Sequence, residues 1–211
     1  MTKTLTRLYD DYADATAALH DLERLGVPHD SISIVANNAD GAHGDGTTTL
    51  GDVNDHGDVS RGVSTGAAVG GVGGLLAGLG LLAIPGLGPI VAAGWLASTV
   101  VGAGIGAAGG AATGTIVGAL KDAGHSDDEA HVYSEGVRRG GTLLSARVDD
   151  ALAIDAEAVL DRNRSVDTKA RGAAYRQDGW NGFDEAAPLY TRDEVATERN
   201  RYRSTTDTTA Y

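Results

Sequence analysis

The sequence predicts the α+β class of fold, and three observations lead to that prediction. Residues 4–37 have the pattern strand–helix–strand, residues 126–166 have the pattern helix–strand–helix, and no charged residue or histidine occurs from Val63 to Leu120. Either patterned piece alone is too small to bury a stable core, so we expect the two to share one sheet. We therefore expect a small layer domain, ferredoxin-like in part, that a two-helix glycine-zipper hairpin interrupts.

The first half of the domain, residues 1–37, begins with a strand at 4–9, where apolar and polar residues alternate. A helix follows, with Asp10 or Asp11 as its cap and Gly26 as its end. Alternation over 30–37 predicts a second strand, at 31–36. The helix residues expected on the buried face, at spacings of three and four, are Ala15, Ala18, Leu19, Leu22 and Leu25.

The second half of the domain, residues 121–166, begins with a helix that Ser126 and Glu129 cap in the capping-box spacing. Arg138 and Arg139 come at the end of this helix, where we interpret them as a solvated pair that favours the helix dipole. A strand over 142–148 and a helix over 153–166 follow. We expect this last helix to point Ile154, Ala158 and Val159 inward.

The remaining segments are expected to have distinct characters. Residues 38–62 are Gly-, Asp-, Thr- and Asn-rich and predict a flexible acidic loop. The C-terminal extension, residues 167–211, is expected to dock through 179–190, which holds a tryptophan and the only phenylalanine, and to be disordered from Thr197 onward.

The uncharged segment 63–120 has small residues at every fourth position in both halves, and 84–89 (IPGLGP) separates those halves. A stripe of small residues lets two helix backbones approach closely, so we expect an antiparallel helical hairpin packed along these positions. The expected helix-packing residues are Gly66, Gly70, Gly74, Gly78, Gly94, Ser98, Gly102, Gly106, Gly110, Gly114 and Gly118.

The surroundings of this hairpin have two interpretations. A first helix of about 21 residues would span roughly 31 Å, which matches a bilayer core of about 30 Å, and Trp95 would lie near the turn as an interfacial aromatic. This favours an inner-membrane location with the soluble parts in the cytoplasm. In contrast, 102–115 has Ile105 as its one bulky side chain, so transfer into lipid gains little. The alternative is a cytoplasmic oligomer whose hairpins pack against each other.

Composition and motif spacing argue against catalysis and against nucleic acid as a partner. The net charge of −12 repels phosphates, and the chain has no cysteine to ligate a metal. No two of the six histidines have the spacing of a helical zinc site. Asp52, Asn54 and Gly57 fit a calcium loop, but His56 and Val63 stand where its other ligands belong. We therefore expect no catalytic, cofactor or metal site, and no enzymatic activity.

Three stretches of the sequence are similar to a known family. They are LTRLYDDYADATAALHDLERLGVPHDSISIVAN, HVYSEGVRRGGTLLSARVDD and AVLDRNRSVDTKARGAAYRQDGWNGFD. In this order they resemble the bacterial general stress proteins of the 17M type, also called heat-induced stress proteins, over roughly residues 4–36 and 60–190. The resemblance implies a bacterial stress-induced protein with no known enzymatic activity and no catalytic residues to carry over. A glycine-rich hairpin between the halves is a common feature of one subgroup of that family.

These observations together lead to three hypotheses of function. The first is a non-enzymatic bacterial stress-response protein, associated with the membrane through its glycine-zipper hairpin. The second is a soluble, oligomeric structural or protective protein with self-association through the hairpin. The third is a small-ligand or signalling sensor, which would need a concave pocket with converging polar groups. The expected partners are a second copy of the chain and membrane lipid.

Overall fold

The computed structural model describes residues 2–41, 80–84, 86–99 and 116–206. These residues form a five-stranded sheet with helices on both faces. The strands are β1 (Thr2–Tyr9), β2 (Ile32–Asn37), β3 (Gly80–Ile84), β4 (Gly88–Ala93) and β5 (Thr142–Asp149), in the spatial order β1-β5-β2-β4-β3. Every neighbouring pair is antiparallel, and the mixture of this sheet with helices confirms the α+β class.

The two halves of the chain share one sheet, as the sequence predicts. Strand β5 lies between β1 and β2 and is antiparallel to both, so β1 and β2 run in the same direction. Leu8 of β1 lies opposite Leu143, and Ile34 of β2 lies opposite Leu144. Since β5 pairs along its whole length with β1, neither half of the domain completes the sheet without the other.

Helix α1 (Tyr12–Leu25) connects β1 to β2 and follows its sequence signals closely. The side chain of Asp11 accepts a hydrogen bond from the Ala13 amide at 3.1 Å, and Gly26 ends the helix in the left-handed conformation, with φ of +101°. The predicted apolar face is confirmed. Leu25 is partly buried, and the other four residues of this face are buried: Ala15, Ala18, Leu19 and Leu22.

Part of the predicted helical hairpin is wrong, because residues 80–84 and 88–93 are the strands β3 and β4. The chain does reverse direction within 84–89, but it joins two strands, and Ile84 pairs with Gly88. Short apolar runs with β-branched residues such as Ile90 and Val91 fit a buried strand as well as a helix. Strand β4 is buried on both faces, which removes the alternation that marks a half-exposed strand.

Gly94 is required at the end of β4 for a close approach to β2. Its φ is +87°, and a Cβ there would lie 2.2 Å from the carbonyl oxygen of Ile32. Next to it, the Ser33 hydroxyl donates to the Ala93 carbonyl at 2.7 Å and accepts from the Leu96 amide at 3.2 Å. These contacts hold the end of β4 and the helical turn over 95–99 against the sheet.

The second half places α2 (Ile116–Asp122), α3 (Asp127–Arg138) and α4 (Ala153–Arg162) around the sheet. The capping box of Ser126 and Glu129 is confirmed. The inward face predicted for α4 is right for Val159 but wrong for Ile154, which is 81% exposed, and for Ala158, which is exposed. The helix begins at Ala153 as predicted, but the stripe that it turns inward is Ala156, Val159 and Leu160.

Two hydrophobic cores lie on opposite faces of the sheet. The first core packs α1 and α4 on one face, and the second packs α2, α3 and the turn around Trp95 on the other. Successive side chains of a strand point to opposite faces of the sheet, so Ile34 belongs to the first core and Val35 to the second. The largest fully buried side chains are Tyr9, Tyr175, Leu8, Leu19, Leu22, Ile32, Ile34, Leu87, Ile90, Leu96, Ile116 and Leu120.

The C-terminal extension docks on the domain and is more ordered than the sequence predicts. Trp180 and Phe183 are each 8% exposed, which confirms the docking of 179–190. Two helices flank this segment, α5 (Thr168–Gln177) and α6 (Arg192–Thr206). The expectation of disorder from Thr197 is therefore wrong as far as Thr206.

Candidate functional site

The most concentrated group of buried charges lies at the C-terminal end of α3. We define the arginine–glutamate cluster as Glu135, Arg138, Arg139 and Glu198. Glu135 is fully buried, and its Oε1 accepts from Arg138 Nη2 at 2.9 Å and from Arg139 Nε at 2.6 Å. Arg139 Nη1 also donates to Glu198 Oε2 at 3.2 Å, which ties α6 to α3. Charge-assisted hydrogen bonds of this kind are among the strongest in proteins.

Aromatic rings of the C-terminal extension cover the two arginines. The guanidinium of Arg139 lies 4.3 Å from the centre of the Tyr175 ring, and that of Arg138 lies 5.3 Å from the Tyr190 ring. Phe183 stands 5.9 Å from Arg138. Each distance is within the range of cation–π attraction, so the extension contributes both charge and ring faces to the cluster.

Arg139 of the cluster and two neighbouring groups, Arg171 and Tyr175, keep one charge state near neutral pH. Burial disfavours the charge of Arg139, but hydrogen bonding to Glu135 and the charge of that carboxylate outweigh it, and the pKa of Arg139 is raised. The same balance with Asp10, on which Arg171 places both Nη1 and Nη2 at 2.7 Å, raises the pKa of Arg171. Burial raises the pKa of Tyr175. None of these three groups changes its charge near neutral pH.

Three atoms of the cluster are buried without a hydrogen-bond partner among the described residues: Glu135 Oε2, Arg138 Nε and Arg138 Nη1. A cavity of about 10 Å³ is lined by Arg139, Tyr175 and Glu198 of this region. A cavity of this size holds about one water molecule.

A second polar group connects His125 to the sheet. His125 Nε2 lies 2.7 Å from the Thr6 hydroxyl, which lies 2.9 Å from the Ser145 hydroxyl, and the Tyr133 hydroxyl donates to the Thr6 carbonyl at 3.0 Å. Burial lowers the pKa of His125, and the charge of Glu129 opposes this shift only partly. Thr6 and Ser145 are buried, so a substrate does not reach either hydroxyl.

We expect the stability of the protein to fall as the pH drops below about 6.5, in part because of His125. Its pKa is lower in the folded state than in the unfolded state, so the unfolded chain takes up the proton first and gains stability. Urea unfolding of the parent and of His125→Asn at pH values between 7 and 5 measures this effect. The variant should lose part of the pH slope that the parent shows. An unchanged slope in His125→Asn would remove this group from the explanation.

A wider groove, of about 390 Å³, lies between α1 and α4. Asp21 in this groove accepts from Arg162 Nη2 at 2.9 Å and is also paired with Arg24. These polar groups satisfy one another and do not converge on a ligand. The sensor hypothesis therefore gains no support from this groove.

Metal binding has no support in the part of the chain that the structure describes. No group of three or more His, Asp or Glu side chains is placed there to hold an ion. The candidate calcium-loop residues Asp52, Asn54 and Gly57 lie outside the described residues. The described helices also include none that is long and apolar enough to cross a bilayer.

No family model, curated protein or solved structure matches this chain. Its similarity to the general stress proteins therefore stays a prediction from sequence motifs. The function has to be argued from the site and from the pattern of residues along the chain.

Three of the eleven predicted helix-packing residues, Gly94, Ser98 and Gly118, lie in the described residues. Gly94 lies at the end of β4, Ser98 is exposed in the turn over 95–99 with its hydroxyl on the Trp95 carbonyl, and Gly118 lies in α2. Gly94 is thus needed for a close approach to a strand and not for helix packing. The residues outside the described part are Gly66, Gly70, Gly74, Gly78, Gly102, Gly106, Gly110 and Gly114.

Trp95 and the arginine pair also differ from their predicted surroundings. Trp95 is buried in the second core with the Arg147 guanidinium 3.8 Å from its ring, and not at the end of a helical hairpin. Arg138 and Arg139 are buried against Glu135 and are not a solvated helix end. The signal for this burial is Glu135 itself, which precedes the two arginines by three and four residues on the same helix face.

Proposed function

We propose that this chain is a non-enzymatic stress-response protein that acts by self-association through two uncharged stretches, 63–79 and 100–115. Both stretches have glycine at every fourth residue, which favours close backbone packing. The family resemblance supports the stress-response part of this proposal. The raised pKa of Arg139 supports its non-enzymatic part, because general acid–base catalysis needs a group that exchanges protons near the working pH.

One observation carries the choice of self-association: strand β4 pairs with β2 in the middle of the uncharged segment. Gly80 lies opposite Ala92, so the chain enters β3 and leaves β4 at the same end of the sheet. The stretch 100–115 then ends at Ile116, which is buried in the second core. The described residues on either side of 42–79 and of 100–115 therefore belong to the same folded domain.

Membrane association is the second candidate, and the lack of charge from Val63 to Leu120 favours it. The stretches are 17 and 16 residues long, whereas one bilayer crossing needs about 20 apolar residues. Because the ends of each stretch belong to one domain, a stretch that enters lipid has to return to the same side. Such an association would place the domain at the cytoplasmic face of the inner membrane, with the stretches inserted from that face.

Carbonate extraction of bacterial membranes containing the full chain separates the two candidates. Self-association predicts that the protein appears in the supernatant and elutes as an oligomer in size-exclusion chromatography with light scattering. Retention in the carbonate-washed pellet would instead support the membrane candidate. A released protein that stays monomeric at micromolar concentrations would contradict both.

We expect the double variant Gly106→Leu, Gly110→Leu to weaken self-association. Leucines on the glycine stripe prevent close packing, and overpacking typically costs about 1–3 kcal/mol, which corresponds to roughly 5- to 150-fold in Kd. Sedimentation equilibrium measures the change. The matched control is Ala108→Leu, Ala112→Leu, which has the same spacing on the opposite helix face and should leave the Kd within a few-fold. Equal effects of the two double variants would show that the glycine register is not an interface.

A further inference from the structure

Helix α6 is held on the domain largely by charged side chains. Arg199 is the centre of this attachment: its Nε donates to the Gly140 carbonyl at 2.7 Å, its Nη2 donates to the Asn37 carbonyl at 3.1 Å, and its Nη1 pairs with Asp40. One guanidinium therefore connects α6 to the turn before β5 and to the end of β2.

Further charged contacts extend along α6. Glu198 pairs with Arg139 of α3, and Arg201 pairs with Asp178 at 2.7 Å. The Arg171 guanidinium of α5 lies 3.6 Å from the Tyr202 ring. The helix thus contacts α3, α5 and the exit of β2 through ions and one aromatic ring.

The apolar contribution to this attachment comes from few residues, among them Tyr202, whose ring centre lies 6.3 Å from that of Tyr175. Val195 is the one buried residue between Arg192 and Tyr202. It sits over Gly140, where a Cβ would lie 2.7 Å from its Cγ1, so the glycine makes room for it. A helix of 15 residues is marginal on its own in water, so α6 depends on these docked contacts for its fold.

We propose that α6 is a latch that responds to ionic strength. Its ion pairs are partly exposed, with Arg201 half exposed and Asp40 about one-fifth exposed, so salt screens them more than it weakens the apolar cores. When the latch is closed, Arg199 fixes Asn37 and Asp40, where the chain leaves the sheet toward residues 42–79. When salt opens it, this exit loses its contacts with Arg199, while Asn37 keeps its pairing with β4 and the sheet stays folded. The inference concerns the fold and stands independently of self-association.

Amide hydrogen exchange of the full chain, followed by mass spectrometry, tests this latch. The two conditions are about 0.01 M and about 1 M sodium chloride, for which the screening lengths are roughly 30 Å and 3 Å. Peptides from 192–206 should exchange on the order of tenfold faster at high salt, while those from β1 and β5 should not change. Equal exchange of 192–206 in both conditions, whether protected or unprotected, would overturn the proposal.

A pair of variants tests the role of Arg199. Arg199→Gln should open α6 already at low salt, whereas Arg192→Gln, on the exposed first turn of the same helix, should not. If Arg199→Gln accelerates exchange throughout the chain, the same measurement is made on Asp40→Asn, which removes only one partner of Arg199. Faster exchange confined to 192–206 and the exit of β2 supports the latch. Acceleration of β1 and β5 in both variants, or full protection in Arg199→Gln, would overturn it.

Discussion

Replacing Glu135 by glutamine should lower the free energy of unfolding by about 3–5 kcal/mol. The carboxylate is fully buried and its Oε1 accepts from both Arg138 and Arg139. Without this charge, Arg139 keeps Glu198 as a partner, but Arg138 loses the carboxylate with which it is paired. Removing one partner of a buried ion pair leaves an uncompensated charge. Urea denaturation monitored by circular dichroism measures the change.

The matched control for this variant is Glu157→Gln, which makes the same chemical change at an exposed ion pair with Lys3. Exposed pairs contribute about 0–1 kcal/mol, so the control should unfold close to the parent. If both variants lose the same small amount, the arginine–glutamate cluster does not stabilise the docked extension.

Replacing Gly94 by alanine should destabilise the fold by about 2–5 kcal/mol, since left-handed backbone strain costs about 1–2 kcal/mol and overpacking about 1–3 kcal/mol. Gly94 has a φ of +87°, and its added Cβ would lie 2.2 Å from the Ile32 carbonyl oxygen and 2.8 Å from Ser33 Cα. Both neighbours belong to the backbone of β2, which has little freedom to move. Thermal and urea unfolding measure the loss.

Gly26→Ala is the control that separates strain from steric contact. Gly26 has a φ of +101° but nothing within 4 Å of an added Cβ, so only the backbone strain of about 1–2 kcal/mol should appear. The sign of the Gly94 effect is also informative. In the interior of a packed helix, alanine gains up to about 1 kcal/mol of helix propensity over glycine. A stabilised Gly94→Ala would therefore favour the helical hairpin over the strand end.

The parts of the fold that follow from local signals were predictable from sequence. Asp11 and Gly26 bound α1, and Ser126 and Glu129 cap α3, because each of these side chains or conformations acts within one turn of its own helix. The sharing of one sheet by residues 4–9, 31–36 and 142–148 followed from the size of the pieces. Local chemistry and the need to bury apolar faces determine these features.

Strands β3 and β4 could not be told from helices by periodicity. Residues 80–84 and 88–93 are short and almost wholly apolar, and both faces of β4 are buried, so neither a two-residue nor a four-residue period stands out. The glycine at position 94 fits the four-residue spacing of the later glycines by coincidence. Glycine is required at this position because its backbone lies close to Ile32, a residue that is distant in sequence.

The site and α6 were missed for a different reason. Between Arg192 and Tyr202, helix α6 has one buried apolar residue, Val195, and this part lacks the stripe that marks an amphipathic helix. A signal was present in Thr191 and Glu194, which form a capping box: the Glu194 amide donates to the Thr191 hydroxyl, and the Glu194 carboxylate accepts from the Thr191 amide. Pairing of Arg139 with Glu198, 59 residues later in the chain, depends on tertiary structure alone.

The central claim is that the middle of the uncharged segment belongs to the sheet, and a cross-strand disulfide tests it most directly. Val35 and Ala92 are opposite one another in the pairing of β2 with β4, and both face the second core. Opposed residues of antiparallel strands have Cα atoms about 4.5–5.5 Å apart, which suits a disulfide. The chain has no cysteine of its own, so Val35→Cys, Ala92→Cys introduces the only thiols.

The control is Val35→Cys, Ala93→Cys, because Ala93 lies on the opposite face of the sheet with the first core. Mild oxidation followed by non-reducing mass spectrometry counts the free thiols in each monomer. The pairing predicts complete intramolecular disulfide formation in the Val35/Ala92 variant and free thiols in the control. Free thiols in both variants, or disulfides that form only between chains, would contradict the placement of residues 88–93 in this sheet.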